Sequence, residues 1–103
     1  MERVPTDTSL GKLLEWSARQ NTSDFHAQAN RRYSYRVDGK LRRIPPELFR
    51  PPSNDEINLM LKQAFSDSIY ESIQKRHEMD LSFLCGQVRY RANFNKQQGM
   101  QSF

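Results

Sequence analysis

Apolar and polar positions change period several times along this chain, and each change marks an element. The clearest alternation runs from Val88 to Phe94. Val88, Tyr90, Ala92 and Phe94 face one way and Arg89, Arg91 and Asn93 the other, the period of a strand with one buried face. Tyr33, Tyr35 and Val37 alternate with Ser34 and Arg36 in the same manner. Asp38-Gly39 follows them, a two-residue hairpin signal, because a type I′ turn needs positive φ twice and glycine accepts it without steric cost. Leu41 and Ile44 mark the return strand, and their uneven spacing predicts a bulge or an early strand end near Arg42-Arg43. Phe25, Ala27 and Ala29 alternate with His26 and Gln28, which predicts a strand over 24–29. Asp80–Leu84 reads as a further strand, Gly86-Gln87 as a turn, and Met100–Phe103 as the start of another strand.

Elsewhere the period is helical. Leu10, Leu13, Leu14 and Ser17-Ala18 recur at i, i+3, i+4 and i+7/i+8, predicting a helix capped by Thr8 or Ser9 and running to about Gln20. Trp16 falls off that stripe, at its edge. Ser53-Asn54-Asp55-Glu56 is a capping box. It opens a helix that buries Ile57, Leu59 or Met60, Leu61, Ala64 and Phe65. Ser66-Asp67-Ser68 interrupts it and caps a second helix with Ile69, Tyr70 and Ile73 on its apolar face. Pro45-Pro46 and Pro51-Pro52 bound a rigid connector, since proline cannot donate to a ladder. Residues 1–8 read as a flexible lead-in. The predicted order is α-β-β-β-α-α-β-β-β: an α+β fold with one antiparallel sheet of about five or six strands and helices on one face.

Composition narrows the function. The 103 residues carry a net charge of +4, a weak bias toward anionic partners, because 12 acids are interspersed among 16 bases. One cysteine, Cys85, excludes an intrachain disulfide framework. Residue 1 opens no apolar signal segment, and no apolar run reaches the roughly 20 residues of a membrane span.

Candidate chemistry is sparse. His26 and His77 lie far apart, so no metal-ligand spacing exists. Cys85 has no implied base, and reads as a strand-end residue rather than a nucleophile. No phosphate-binding loop, dinucleotide fingerprint or zinc-protease motif occurs. This chain alone reads as no enzyme, with no catalytic residue, no metal and no cofactor of its own. Arg89 and Arg91 are the candidate binding residues. They project from one strand face roughly 7 Å apart, and two planar guanidiniums so placed can grip a phosphate or carboxylate. The competing reading is a solvated face balanced by Asp38, Glu78 and Asp80.

Five short motifs in order add a resemblance. They are Leu13-Leu14 in an opening helix; Ser23-Asp24-Phe25-His26; Tyr35-Arg36-Val37-Asp38-Gly39-Lys40-Leu41; Asp80-Leu81-Ser82-Phe83; and Arg89-Tyr90-Arg91-Ala92-Asn93. Together they span about 9–99 and resemble the N-terminal domain of secretion and pilus traffic ATPases, especially the PilT-type retraction motors and their DotB-like relatives. The resemblance implies a PAS-like domain over 9–103, a fragment of a longer ATPase whose RecA-like C-terminal domain is absent here. It implies a regulatory and assembly role in a hexameric motor that powers type IV pilus retraction or type IV secretion. The domain would contact the ATPase domains of its own and neighbouring subunits, with Arg89 and Arg91 reaching the nucleotide phosphates in trans. ATP and magnesium would bind the full-length parent, cytoplasmic and peripheral to the bacterial inner membrane, alongside the pilus or secretion machinery. No nucleic acid is expected. Family members often carry an arginine before the glycine that follows the last motif; Gln97-Gln98-Gly99 stands there, so that cation is absent. Ser23 and Asp24 read as ties for the turn before the strand, and Phe25 as core. Two other readings remain open from the residues: a small basic nucleic-acid-binding module using Tyr33, Tyr35 and Tyr90 as stacking platforms, and a stand-alone PAS-like sensor.

Overall fold

A computed structural model describes residues 2–97 and 99–103. The elements in chain order are β1 (Glu2–Val4), α1 (Ser9–Arg19), β2 (Asp24–His26), β3 (Ser34–Val37), β4 (Lys40–Arg43), α2 (Asn54–Ala64), α3 (Asp67–Lys75), β5 (Glu78–Cys85), β6 (Val88–Gln97) and β7 (Met100–Ser102). The fold is α+β, as the periodicities predict. The single antiparallel sheet of about five or six strands is corrected: seven strands form two sheets, a four-stranded one in the order β1-β5-β6-β7 and a three-stranded one in the order β2-β3-β4.

The flexible lead-in over 1–8 is also corrected. Glu2–Val4 pairs in parallel with Phe83–Cys85, and Val4 is buried in the core. Three residues are too few to show a period, and only the tertiary partner makes them a strand. The Thr8 hydroxyl then donates to the Pro5 carbonyl at 2.7 Å and accepts the Gly11 N–H at 3.1 Å, turning the chain into α1. Leu10, Leu13, Leu14 and Ser17 form the buried face of α1. Trp16 packs at its edge, edge-on to Tyr35 and Phe49 at ring separations of 5.0 and 6.1 Å.

The capping box of α2 is complete. Ser53 N–H donates to Glu56 Oε1 at 3.0 Å, and Glu56 N–H donates to Ser53 Oγ at 3.1 Å. Ile57, Met60, Leu61 and Ala64 are buried, while Leu59 points outward. Ser66 precedes α3 but gives it no side-chain cap.

In the β3–β4 hairpin Asp38 and Gly39 have φ of 51° and 77°, the left-handed pair the turn demands. Of the two alternatives expected near Arg42-Arg43, no bulge forms and the strand ends at Arg43. The register runs unbroken from Val37↔Lys40 to Ser34↔Arg43, and it puts Leu41 beside Arg36 on the outer face. Ile44, on the other face, is fully buried, and its N–H donates to the Tyr33 carbonyl at 2.8 Å. β5 and β6 pair over eight residues from Glu78↔Asn95 to Cys85↔Val88. Their inner face carries Phe83 and Phe94, each edge-on to Phe65 at 5.3 and 5.8 Å. Burying one such ring contributes roughly 1.5–3 kcal/mol.

The strand expected over 24–29 ends at His26. Beyond it, Ala27 and Phe103 exchange both backbone hydrogen bonds, at 2.9 and 3.1 Å, and Gln28 bridges Ser102. The two sheets are thus stitched at one point, where β7 meets the end of β2.

Candidate functional site

The site begins with β6. Its pairing with β5 sets Val88, Tyr90, Ala92 and Phe94 opposite Cys85, Phe83, Leu81 and Met79 on the inner face. Arg89, Arg91 and Asn93 lie opposite Leu84, Ser82 and Asp80 on the outer face, exposed, as alternation requires. Val88 departs from the pattern: at the hairpin end it is 44% exposed, because the inner face runs out of partners there.

The competing reading, a face balanced by Asp38, Glu78 and Asp80, is not realised through ion pairs among the described residues. Asn93 Nδ2 donates to Glu78 Oε1 and to Asp80 Oδ1, both at 3.1 Å. Among the described residues Arg89 and Arg91 make no ion pair. Two unpaired guanidiniums on one strand face are free to meet an external anion.

Both arginines line a cleft of about 1050 Å³ between β6 and the three-stranded sheet. Leu14 and Ser17 of α1 form its floor and Phe103 stands at its stitched end. The opposite wall is the outer face of the β3–β4 hairpin, where Ser34 pairs with Arg43 and Arg36 with Leu41. Arg31 and Arg32 also line it, so six arginines surround the cleft with one carboxylate, Asp24. Arg32 Nε donates to the Ile44 carbonyl at 3.0 Å, and Arg36 Nε lies 3.5 Å from Asp24 Oδ2. Arg42, on the other face of β4, is not brought in. The contribution of Arg31 and Arg43 was hidden in the sequence. Only the joining of the two sheets sets them across from β6.

Ser23, Asp24 and His26 behave as ties. The Ser23 hydroxyl donates to Asp24 Oδ1 at 2.9 Å and to the Arg36 carbonyl at 3.3 Å, and His26 Nε2 lies 3.0 Å from Asp24 Oδ2. The His26 and Ser23 contacts, with Arg36 nearby, hold the Asp24 carboxyl below its ordinary value. Phe25 is half-buried against Tyr33, stacked at 5.6 Å. Cys85 is a buried free thiol pushed above its ordinary pKa by burial and by Glu15. Among the described residues no three His, Cys, Asp or Glu side chains gather as a metal site, and no helix is long and apolar enough to cross a membrane.

The tyrosines offer no open stacking platform. Tyr33 is buried, and that burial with nearby Glu56 pushes its phenol up to about 12. Tyr35 is held edge-on to Trp16, and Tyr90 lies on Phe83 at 5.5 Å with its hydroxyl donating to the Leu14 carbonyl at 3.4 Å. Of the run Gln97-Gln98-Gly99, Gln98 lies outside the described residues.

No protein-family model matches the chain. In sequence it is 32% identical over 92 residues to the type IV pilus retraction ATPase PilT of Pseudomonas aeruginosa, covering 87% of this chain and 26% of that protein. In structure it matches a pilus retraction motor PilT solved with bound ADP, at a TM-score of 0.73 and 23% identity, over 92% of this chain and 27% of that one. It also matches the Legionella pneumophila ATPase DotB, at a TM-score of 0.62 and 22% identity, over 90% of this chain and 27% of that one. The chain spans about a quarter of the length of each of these proteins.

Proposed function

This chain is an N-terminal domain of the PilT/DotB-like traffic ATPases, and on that premise we propose that it regulates and assembles a hexameric motor. The motor is one that powers type IV pilus retraction or type IV secretion at the cytoplasmic face of the inner membrane. Residues 9–103, with the strand that precedes them, are the N-terminal part of a longer ATPase. ATP and magnesium bind in the RecA-like domain that follows. This domain packs against the ATPase domain of a neighbouring subunit, and Arg89 and Arg91 touch the nucleotide phosphates held there.

The observation that carries this reading is the Arg89–Arg91 pair: exposed, on one face of β6, and without an ion-pair partner among the described residues. The acids across the ladder, Glu78 and Asp80, bond Asn93 instead of the arginines. A guanidinium fork brought to a phosphate supplies charge-assisted hydrogen bonds, and arginines acting in trans on phosphoryl transfer accelerate it by about 10³–10⁵-fold. ATP closes the junction between this domain and its neighbour as a rigid-body movement, and the two arginines register occupancy. The test is ATP turnover and ring closure in the full-length protein carrying Arg89→Ala or Arg91→Ala. At least a tenfold loss of turnover is expected. Unchanged turnover and closure in both variants would remove the proposal.

A further inference from the structure

The first strand brings a third arginine onto the face that carries Arg89 and Arg91. β1 meets β5 in the register Arg3↔Leu84, and β6 meets it from the other side in the register Leu84↔Arg89. Residues paired across a ladder share a sheet face. Val4 and Cys85 are buried together on the inner face, so Arg3, Leu84 and Arg89 share the outer one. Neighbouring strands run about 4.8 Å apart, which sets Arg3 and Arg89 roughly 10 Å apart across Leu84, with Arg91 about 7 Å along β6. Half-buried Ser82, opposite Arg91, adds a hydroxyl. The grouping is hidden in the sequence, because Arg3 and Arg89 stand near opposite ends of the chain.

No ion pair neutralises this patch among the described residues. Arg3, Arg89 and Arg91 are all exposed, and the ion pairs present involve other bases. The arginine side chains that donate hydrogen bonds are those of Arg32, Arg36 and Arg50. Glu2, beside Arg3 in the chain, lies on the opposite face and accepts from Ser66. Glu78 and Asp80 sit toward the far end of the outer face, bonded to Asn93. Ser82, Arg89 and Arg91 line a shallow depression of about 510 Å³, with Asp80 at its rim. Guanidiniums held this close repel one another until an anion joins them, and each offers a planar fork of donors. Their spread is wider than one phosphate group bridges, and it matches several phosphates in a row.

We propose that Arg3, Arg89, Arg91 and Ser82 form a binding surface for an oligophosphate chain, with Arg3 as a third phosphate-contacting residue. The inference deepens the phosphate reading of Arg89 and Arg91, and rests on it for the source of the chain, the nucleotide of a neighbouring subunit. Arg89 and Arg91 hold the phosphates on the β6 side, and Arg3 reaches them across Leu84. The contact from Arg3 exists only while β1 is paired with β5, so the first strand is part of the binding surface.

The test follows the side-chain Nε–H resonances of the 103-residue chain by NMR at low salt. Inorganic tripolyphosphate, inorganic phosphate and ATP are titrated separately. With tripolyphosphate, the resonances of Arg3, Arg89 and Arg91 are expected to move along one binding curve. Arg42, exposed on β4 away from this face, is expected to stay still. ATP should act as tripolyphosphate does, because the surface meets phosphates and not the base. Arg3→Gln should weaken tripolyphosphate binding about fivefold, the upper range for an exposed ion pair. Arg42→Gln, with the same loss of charge, should leave it nearly unchanged. A still Arg3 resonance, or equal weakening by Arg3→Gln and Arg42→Gln, would overturn the proposal. Inorganic phosphate binding as tightly as tripolyphosphate would overturn the oligophosphate class.

Turnover of the full-length protein separates this inference from the reading beneath it. Arg3→Gln is expected to lower turnover, as Arg89→Ala does. Turnover that falls in Arg89→Ala and Arg91→Ala but not in Arg3→Gln would remove Arg3 alone. Turnover unchanged in all three would remove the nucleotide as the source of the phosphates, whatever the titration shows.

Discussion

The carboxylate of Glu2 accepts the backbone N–H of Ser66 at 2.8 Å, across 64 residues of chain. Ser66 precedes α3 without a side-chain cap of its own, and the first strand supplies the carboxylate oxygen that Glu56 gives to the Ser53 N–H at the start of α2. Its Oγ also donates to Glu2 Oε2 at 3.4 Å. Glu2→Ala is expected to lower stability by about 1 kcal/mol, the usual net worth of one hydrogen bond. The urea midpoint of Glu2→Gln should fall less, because the amide oxygen still accepts. Equal losses in the two variants would show that charge, not the acceptor, matters here.

Gly11 has a different constraint. A Cβ at this position would run into the Pro5 carbonyl oxygen and lie 2.9 Å from Thr6 backbone atoms. Alanine is the better helix former by about 1 kcal/mol. Gly11→Ala is nonetheless expected to destabilise by roughly 1–3 kcal/mol, the cost of overpacking against backbone that cannot yield. A raised melting temperature would refute the tight approach of the Pro5–Thr6 turn to α1.

Acid should loosen the start of α2. The Glu56 carboxyl is held below its ordinary value of 4.5, chiefly by the Ser53 backbone N–H, with the Ser53 hydroxyl and Arg50 assisting. A depressed folded pKa contributes stability above the unfolded value and loses it as pH falls through the folded one. The expected signature is a drop in stability below the ordinary glutamate pKa that Glu56→Gln makes shallower. Parallel pH profiles for the two proteins would sink the assignment.

Cys85 should be inert in the folded chain. It is 5% exposed, and burial raises the pKa of its thiol, which lowers the thiolate fraction that reacts. A thiol reagent at neutral pH is expected to label it only at the rate at which the chain opens. Labelling as fast as in urea would contradict its place in the core.

Arg89→Ala and Arg91→Ala should change the stability of the chain by no more than about 0.5 kcal/mol, since neither side chain is buried or ion-paired among the described residues. Chemical denaturation of each variant checks this. A larger loss would mean that the pair serves the fold, and the phosphate reading would lose its main support.

The sequence by itself determined the local elements whose signals are contained in a few neighbouring residues. The Asp38-Gly39 turn, the Ser53–Glu56 capping box, the α1 stripe and the alternation that turns Arg89 and Arg91 outward are all of this kind. Each depends on backbone sterics or on a period that the residues themselves carry. The family likeness was legible for the same reason, in five short motifs in order. Tertiary structure alone decided that Glu2–Val4 is a strand, because three residues become one only when β5 offers an edge. It decided that Leu41 faces outward, because the register runs unbroken to the strand end at Arg43 where uneven spacing left a bulge or an early end open. It also decided that the strands part into two sheets. Strand pairing over long separations is set by which edges meet, and no local pattern records that. Arg31 and Arg43 face β6 only because Ala27 and Phe103 join those edges at a single point.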